Sequence, residues 1–207
     1  MIKKSVIVII DYGMGNIRSI MNKIHRAGFE ALVSYDQETI KNADKIILPG
    51  VGHFSNGMKR LRERNVIELL NEKVLVEKTP ILGICLGMQL LTGFSEEGNA
   101  RGLGWLDAET VRFTLTDIKH KVPHMGWNSI EQKKESPLLK DIPDSRYYYF
   151  VHSYHVKCHS NDDVLTTSMY GYEFVSSVQK ENIFGTQFHP EKSHEWGEKL
   201  LNNFLNL

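Results

Sequence analysis

The sequence predicts an α/β fold: an open, mostly parallel central sheet with flanking helices and a smaller antiparallel strand section in the second half. Two observations carry this. In the first third, short apolar or β-branched runs alternate with segments of helical periodicity, the pattern of parallel strands joined by right-handed crossovers. In the second half, strand-like segments follow one another between turn residues, the pattern of antiparallel pairing.

Residues 5–10 are a continuous apolar run of strand length, as in a strand buried on both faces. Ile17, Ile20, Met21 and Ile24 then recur at helical spacing up to Gly28, a helix stop. Strands are predicted at 30–34, 45–49 and 80–84. Helices are predicted around Met58 and Leu61, over 66–70, and starting at 86–91. Further strands are predicted at 106–115, 126–132, 147–156, 164–169, 174–180 and 183–187. A closing helix over 194–207 carries Trp196, Leu200, Leu201 and Phe204 on one face. No repeat, low-complexity tract or linker composition interrupts the chain, so one domain, 1–207, is expected.

Lys plus Arg and Asp plus Glu both count 25, leaving no basic excess for nucleic acid. The clusters at 119–121 and 133–134 read as solvated loop charges. Two cysteines, Cys85 and Cys158, make no disulfide framework and fit a reducing compartment. The N-terminal apolar run is too short for a signal peptide, and none is long enough to span a membrane. A cytoplasmic protein is expected.

In open sheets of this kind, sites form outside the carboxyl ends of the strands. Three glycine-bearing stretches fall there: 11–16, 49–53 and the turn at Cys85. The last, Gly83-Ile-Cys85-Leu-Gly87, is a nucleophile-elbow pattern with sulfur in place of oxygen. Its glycines permit a tight strand-to-helix turn that exposes the middle side chain at a helix N-terminus, which favours an anion and a reactive thiol. A free cysteine is more often a small buried hydrophobe, so the pattern needs a base. Gly185-Thr-Gln-Phe-His189-Pro-Glu191-Lys192 offers one. His189 and Glu191, two apart, share a side of extended chain, and Pro190 fixes the turn. A carboxylate beside imidazole holds its tautomer and stabilises its cation. Taken alone, His-x-Glu reads as a surface pair. Together, the two motifs indicate a Cys85–His189–Glu191 triad.

These motifs resemble the class I, or triad, glutamine amidotransferases over nearly the whole chain. Asp11-Tyr-Gly-Met-Gly-Asn16, Leu48-Pro-Gly-Val-Gly-His-Phe54, Pro123-His-Met-Gly-Trp-Asn128 and His189-Pro-Glu-Lys-Ser193 are similar to one branch in particular, glutaminase subunits of histidine biosynthesis. The resemblance implies glutamine as substrate, no cofactor and no metal. It implies an oxyanion hole at Leu86 and at Val51 and Gly52, with a peptide flip eased by the glycines around Val51. It implies substrate contacts at Gly50, Gln89, Glu97, Val151, Ser153 and Tyr154, although Glu97 reads equally as an exposed loop acid.

Ammonia must stay unprotonated to act as a nucleophile, so a synthetic glutaminase needs a sealed route to an acceptor. No second domain for one is expected in this chain. The resemblance implies a (β/α)8-barrel cyclase subunit as heterodimer partner, touching Trp127, Tyr149 and Lys192. Gly13-Met-Gly15 lacks the rest of a dinucleotide fingerprint. His152, His155, Cys158 and His159 do not converge on one strand face or match a zinc spacing.

Three other readings stay open. One is a paralogue supplying ammonia for sugar amidation, because 113–121 and 169–175 look unlike the histidine branch. The others are a stand-alone γ-glutamyl hydrolase, and a silent regulatory binder, against which the intact triad speaks.

Overall fold

The N-terminal apolar run forms strand β1 (Ile7–Ile10), whose four residues are all buried. Its side chains alternate between two separate cores. Val8 and Ile10 belong to one, and Ile7 and Ile9 to the other, so the sheet is covered on both faces. The computed structural model describes residues 5–116 and 119–207. Met1 to Lys4, and Asp117 and Ile118 of the 113–121 segment, lie outside the described residues.

The first third follows the expected alternation: α1 (Ile17–Arg26), β2 (Ala31–Ser34), α2 (Gln37–Lys41), β3 (Lys45–Gly50), α3 (Phe54–Glu63), α4 (Ile67–Asn71) with a π-helical turn over Glu72–Val76, and β4 (Ile81–Cys85). Helix α2 has too short an apolar pattern to be foreseen. It is started by Asp36, whose carboxylate accepts from the N–H of Thr39.

The helix after Cys85 corrects an expectation. α5 (Leu86–Leu90) stops after five residues and the chain turns into β5 (Thr92–Ser95). The carbonyls that would continue the helix are taken elsewhere. Leu90 accepts from the N–H of Leu103, Leu91 from those of Trp105 and Leu106, and Gln89 from the Thr92 hydroxyl.

The remaining strands are β6 (Ala100–Arg101), β7 (Leu106–Arg112), β8 (His124–Ser129), β9 (Glu131–Gln132), β10 (Tyr147–His152), β11 (Tyr154–Cys158), β12 (Val164–Tyr170), β13 (Tyr172–Lys180) and β14 (Ile183–Thr186). Two expected segments are each divided. The one at 126–132 becomes β8 and β9, and the one at 147–156 becomes β10 and β11, broken at Ser153. The break is a change of partner: β10 pairs with β8 in a two-stranded ribbon, whereas β11 joins the main sheet. Helix α6 (His194–Leu205) closes the described chain.

The main sheet runs β2-β1-β3-β4-β14-β13-β11-β7-β5-β6, with β12 and β9 beyond β13. Pairing is parallel from β2 to β14 and antiparallel from β14 to β7. Phe54, Met58, Leu61 and Leu70 cover one face; Ile20, Ile24, Leu200 and Phe204 cover the other. The consequence for the site lies in the register. Gly50 of β3 faces Cys85 of β4, and Thr186 of β14 faces Ile84. The strand carrying Cys85 therefore lies between the glycine-rich strand end and the strand leading to His189. Among the described residues, no helix is long and apolar enough to cross a membrane.

Candidate active site

Cys85 ends β4 and opens α5 with φ +55° and ψ −111°, a costly backbone state for a residue with a Cβ. Close packing holds it there. A Cβ on Gly83 would lie 2.8 Å from the Gly87 backbone, and one on Gly87 would overlap the Leu48 carbonyl. The two glycines thus let the first turn of α5 rest directly on β3 and β4, as the elbow pattern requires. Cys85 lines a cavity of ≈ 330 Å³ together with Val51, Gly52, Leu86, Gln89, Glu97, Pro123, Val151, His152, Ser153, Tyr154 and His189. That size lies at the small end for ligand pockets and suits a free amino acid.

His189 is fixed from two sides. Its N–H donates to the Tyr149 carbonyl at 2.9 Å, and its carbonyl accepts from the Ser193 hydroxyl at 2.6 Å; the Ser193 oxygen in turn accepts from the Tyr149 N–H. The ring donates from Nδ1 to Glu191 Oε1 at 2.9 Å, leaving a buried Nε2 on the cavity side with no partner in full hydrogen-bond geometry among the described residues. Burial alone would disfavour the imidazolium. The neighbouring Cys85 sulfur, by charge and hydrogen bonding, and the Glu191 carboxylate outweigh it and push His189 up to about 10. The arrangement is thus electrostatically suited to a thiolate–imidazolium pair, the state from which a cysteine attacks.

The other residues singled out in the sequence divide. Val51 and Gly52 form one wall, Gly52 at φ +115°, while Leu86 supplies a first-turn N–H with no acceptor inside the helix. Gln89 uses its side-chain nitrogen on the Tyr154 carbonyl and on Gln187 Oε1, at 2.9 and 3.0 Å. Glu97 is part of the wall, with one oxygen accepting from the Phe54 N–H at 2.7 Å. Gly50 stands behind the wall rather than in it, pressed against Leu86, Gly87 and the Tyr12 hydroxyl. Glu191 is likewise behind His189. Trp127 and Tyr149 are cross-strand neighbours on the ribbon, and the Lys192 ammonium lies 5.4 Å over the Tyr149 ring, so the three share one patch.

His155 bonds Tyr172 and His159 bonds Asp107, so the histidines near Cys158 turn to separate partners. Among the described residues, no group of three or more His, Cys, Asp or Glu is placed to hold a metal.

The sequence matches the family Glutamine amidotransferase class-I over residues 8–207. This chain belongs to that family. As a class I glutamine amidotransferase it is an enzyme, and its full length aligns with named relatives. It is 52% identical over 200 residues to imidazole glycerol phosphate synthase subunit HisH 2 of Methanococcus maripaludis, covering 97% of this chain and 98% of that one. It is 46% identical over 202 residues to the Pseudomonas aeruginosa protein of the same name, covering 98% and 100%. Among solved structures, PurLQS from Thermotoga maritima superposes with a TM-score of 0.75 over 98% of each chain at 21% identity, which speaks to the fold.

Three features of the amidotransferase site were missed in the sequence. Gln187 is fully buried and its Nε2 lies 3.8 Å from Cys85 Sγ. It sits two residues before His189, so strand alternation could have placed it. Asn16 Nδ2 reaches Glu191 Oε1 at 3.4 Å, from a loop 175 positions away, and nothing local announces it. His152 lines the cavity from the end of β10, a place that its spacing to His155 and Cys158 does not announce.

Proposed function

We propose that this chain is the glutaminase subunit of an imidazole glycerol phosphate synthase, releasing ammonia from glutamine in histidine biosynthesis. The observation that supports it is the Cys85 elbow beside a buried His189–Glu191 pair, with Cys85 and His189 lining an amino-acid-sized cavity, on a chain aligned over 97–98% of its length with relatives of that name.

On this reading, the Cys85 thiolate attacks the side-chain amide carbon of glutamine. The carbonyl π pair moves to oxygen, and the oxyanion takes the Leu86 N–H and an N–H of the 51–52 stretch. Collapse breaks the carbon–nitrogen bond while His189 Nε2–H protonates the departing nitrogen, so ammonia leaves and a glutamyl thioester remains. Neutral His189 then takes a proton from water. The hydroxide adds to the thioester, sulfur leaves as thiolate, and glutamate and the imidazolium are restored. Glu191 orients the ring throughout. Gln89, Glu97 and the 151–154 backbone hold the substrate, and Gly50 backs the oxyanion strand.

The reading includes a single domain over 1–207, a cytoplasmic location and a (β/α)8-barrel partner docking on Trp127, Tyr149 and Lys192. Trp127 is 45% exposed, as an interface anchor needs to be before binding. A second reading has its own support. M. maripaludis holds two relatives of this name, and the chain is 52% identical to the one numbered 2 and 44% to the one numbered 1. Such duplication leaves room for a copy that feeds another acceptor, such as a sugar.

The test is glutamate release by the chain alone and with the histidine-pathway barrel carrying its nucleotide ligand, with Cys85→Ala as control. Stimulation by that barrel, abolished in the variant, supports the first reading. Cysteine-dependent activity indifferent to that barrel sinks it in favour of the second. Full activity without any partner points to a stand-alone hydrolase.

A further inference from the structure

His124 and His152 face each other across the β8–β10 ribbon, both buried against Phe113, Phe150 and Phe174. A phenylalanine would pack as well in such surroundings, so two imidazoles call for a polar explanation. Their hydrogen bonds supply one, because the direction of every link is forced. His152 Nδ1 lies 2.7 Å from the Tyr154 carbonyl, which can only accept, so Nδ1 carries the proton and Nε2 of the neutral ring is an acceptor. His124 Nδ1 lies 2.9 Å from that Nε2 and must therefore donate. Its own Nε2 then accepts from Asn128 Nδ2 at 3.4 Å. The Asn128 amide is itself oriented by the Met169 carbonyl, to which Nδ2 donates at 2.8 Å.

The chain of links requires both rings to be neutral, and burial favours this. It pulls His124 down to about 4, with His120 adding to the effect, and holds His152 well below its ordinary value.

The inner end of the chain is at the substrate cavity. His152 reaches across Ser153, where the strand leaves the ribbon for the main sheet, and pins the far side of that break. The Tyr154 carbonyl it bonds also accepts from Gln89 Nε2, so one oxygen ties the rim at 151–154 to Gln89. The second Gln89 hydrogen goes to Gln187, which leaves the Gln89 carbonyl oxygen for the cavity.

We propose that His124 and His152 are positioning residues for glutamine: a one-way hydrogen-bond chain through their neutral rings holds the 151–154 rim and Gln89 in register. The proposal rests on the glutaminase reading for its substrate, but the chain of links can be tested without it.

Long-range ¹⁵N correlation spectra of the full chain at neutral pH read the tautomers directly. Both rings are expected as Nδ1–H; finding either as Nε2–H overturns the proposal. Glutaminase kinetics of the complex with the liganded barrel read the function. His152→Phe is expected to raise KM for glutamine about tenfold with kcat changed less than about threefold, and His152→Gln, which can accept and donate in the same directions, to recover most of the loss. An unchanged KM in a folded His152→Phe variant overturns the proposal, as does a His152→Gln variant no better than His152→Phe. If the phenylalanine variant does not fold, His124→Gln against His124→Leu makes the same comparison. A wild-type complex that releases no glutamate would refute the glutaminase reading, while the tautomers still decide the relay.

Discussion

His189 donates from Nδ1 to Oε1 of Glu191 over 2.9 Å, and each side chain is 1% exposed. A buried imidazole so oriented has only Nε2 left for chemistry. Among the described residues that nitrogen has no partner in full hydrogen-bond geometry, and its electrostatic neighbour is Cys85. The titration of His189 is therefore a property of three residues.

Removing the sulfur should show this. Burial opposes the imidazolium, while Cys85 and Glu191 favour it and together push His189 up to about 10. In Cys85→Ala the sulfur is gone and the burial is not, so the pKa of His189 should fall by more than about one unit. Glu191→Gln removes the charge of the other group that raises it and should move it the same way. A pH titration of the ring resonances measures both. A His189 pKa unchanged in Cys85→Ala would mean that the sulfur is not charged beside the ring.

Gln187 joins two parts of the site. Its Nε2 lies 3.8 Å from Cys85 Sγ, and its Oε1 accepts from Gln89. Gln187→Leu keeps the approximate volume but leaves a Gln89 hydrogen unpaired in the interior, which costs about 1–3 kcal/mol. If that arrangement is used in the transition state, kcat/KM for glutamine should drop roughly 10- to 100-fold by the same free energy. Glutamate release decides it. A fully active Leu variant would reduce Gln187 to core filling.

How far these residues could be read from sequence depends on what fixes each one. β1, β3 and β4 are short runs of buried side chains, and a strand covered on both faces has few ways to look otherwise. The elbow is a local steric requirement, so Gly83, Cys85 and Gly87 announce it within five residues. The pair His189 and Glu191 is local as well. The length of α5 is not, because its end depends on N–H groups at Leu103, Trp105 and Leu106. The contact of Asn16 with Glu191, and the pairing of His124 with His152, follow from loop placement and ribbon register that no short stretch specifies.

Gly87 tests the packing behind the elbow. A Cβ there would overlap the Leu48 carbonyl, which belongs to a central strand and cannot rotate aside. Gly87→Ala should destabilise the chain by about 3 kcal/mol or more, at the upper end of overpacking effects. Denaturant unfolding measures this. A loss below about 1 kcal/mol would show that α5 can slide away from β3, and then Cys85 would lose its strained conformation too.

Trp127 tests the proposed partner face. Its ring stacks on His194 at 4.8 Å between centroids and 8° between planes, and meets Tyr149 edge-on at 6.1 Å. The indole is thus held in one orientation before any partner arrives, which reduces the entropy lost on docking. Trp127→Ala should weaken binding to the liganded barrel by at least about tenfold, the scale of an aromatic anchor. Thermal unfolding of the isolated chain should change little, since nearly half the side chain already faces solvent. Calorimetric titration with the barrel and a melting curve separate the two effects. Unaltered affinity in the alanine variant would move the docking face away from the ribbon, whereas loss of folding would mean that the Trp127–His194 stack holds the ribbon against α6.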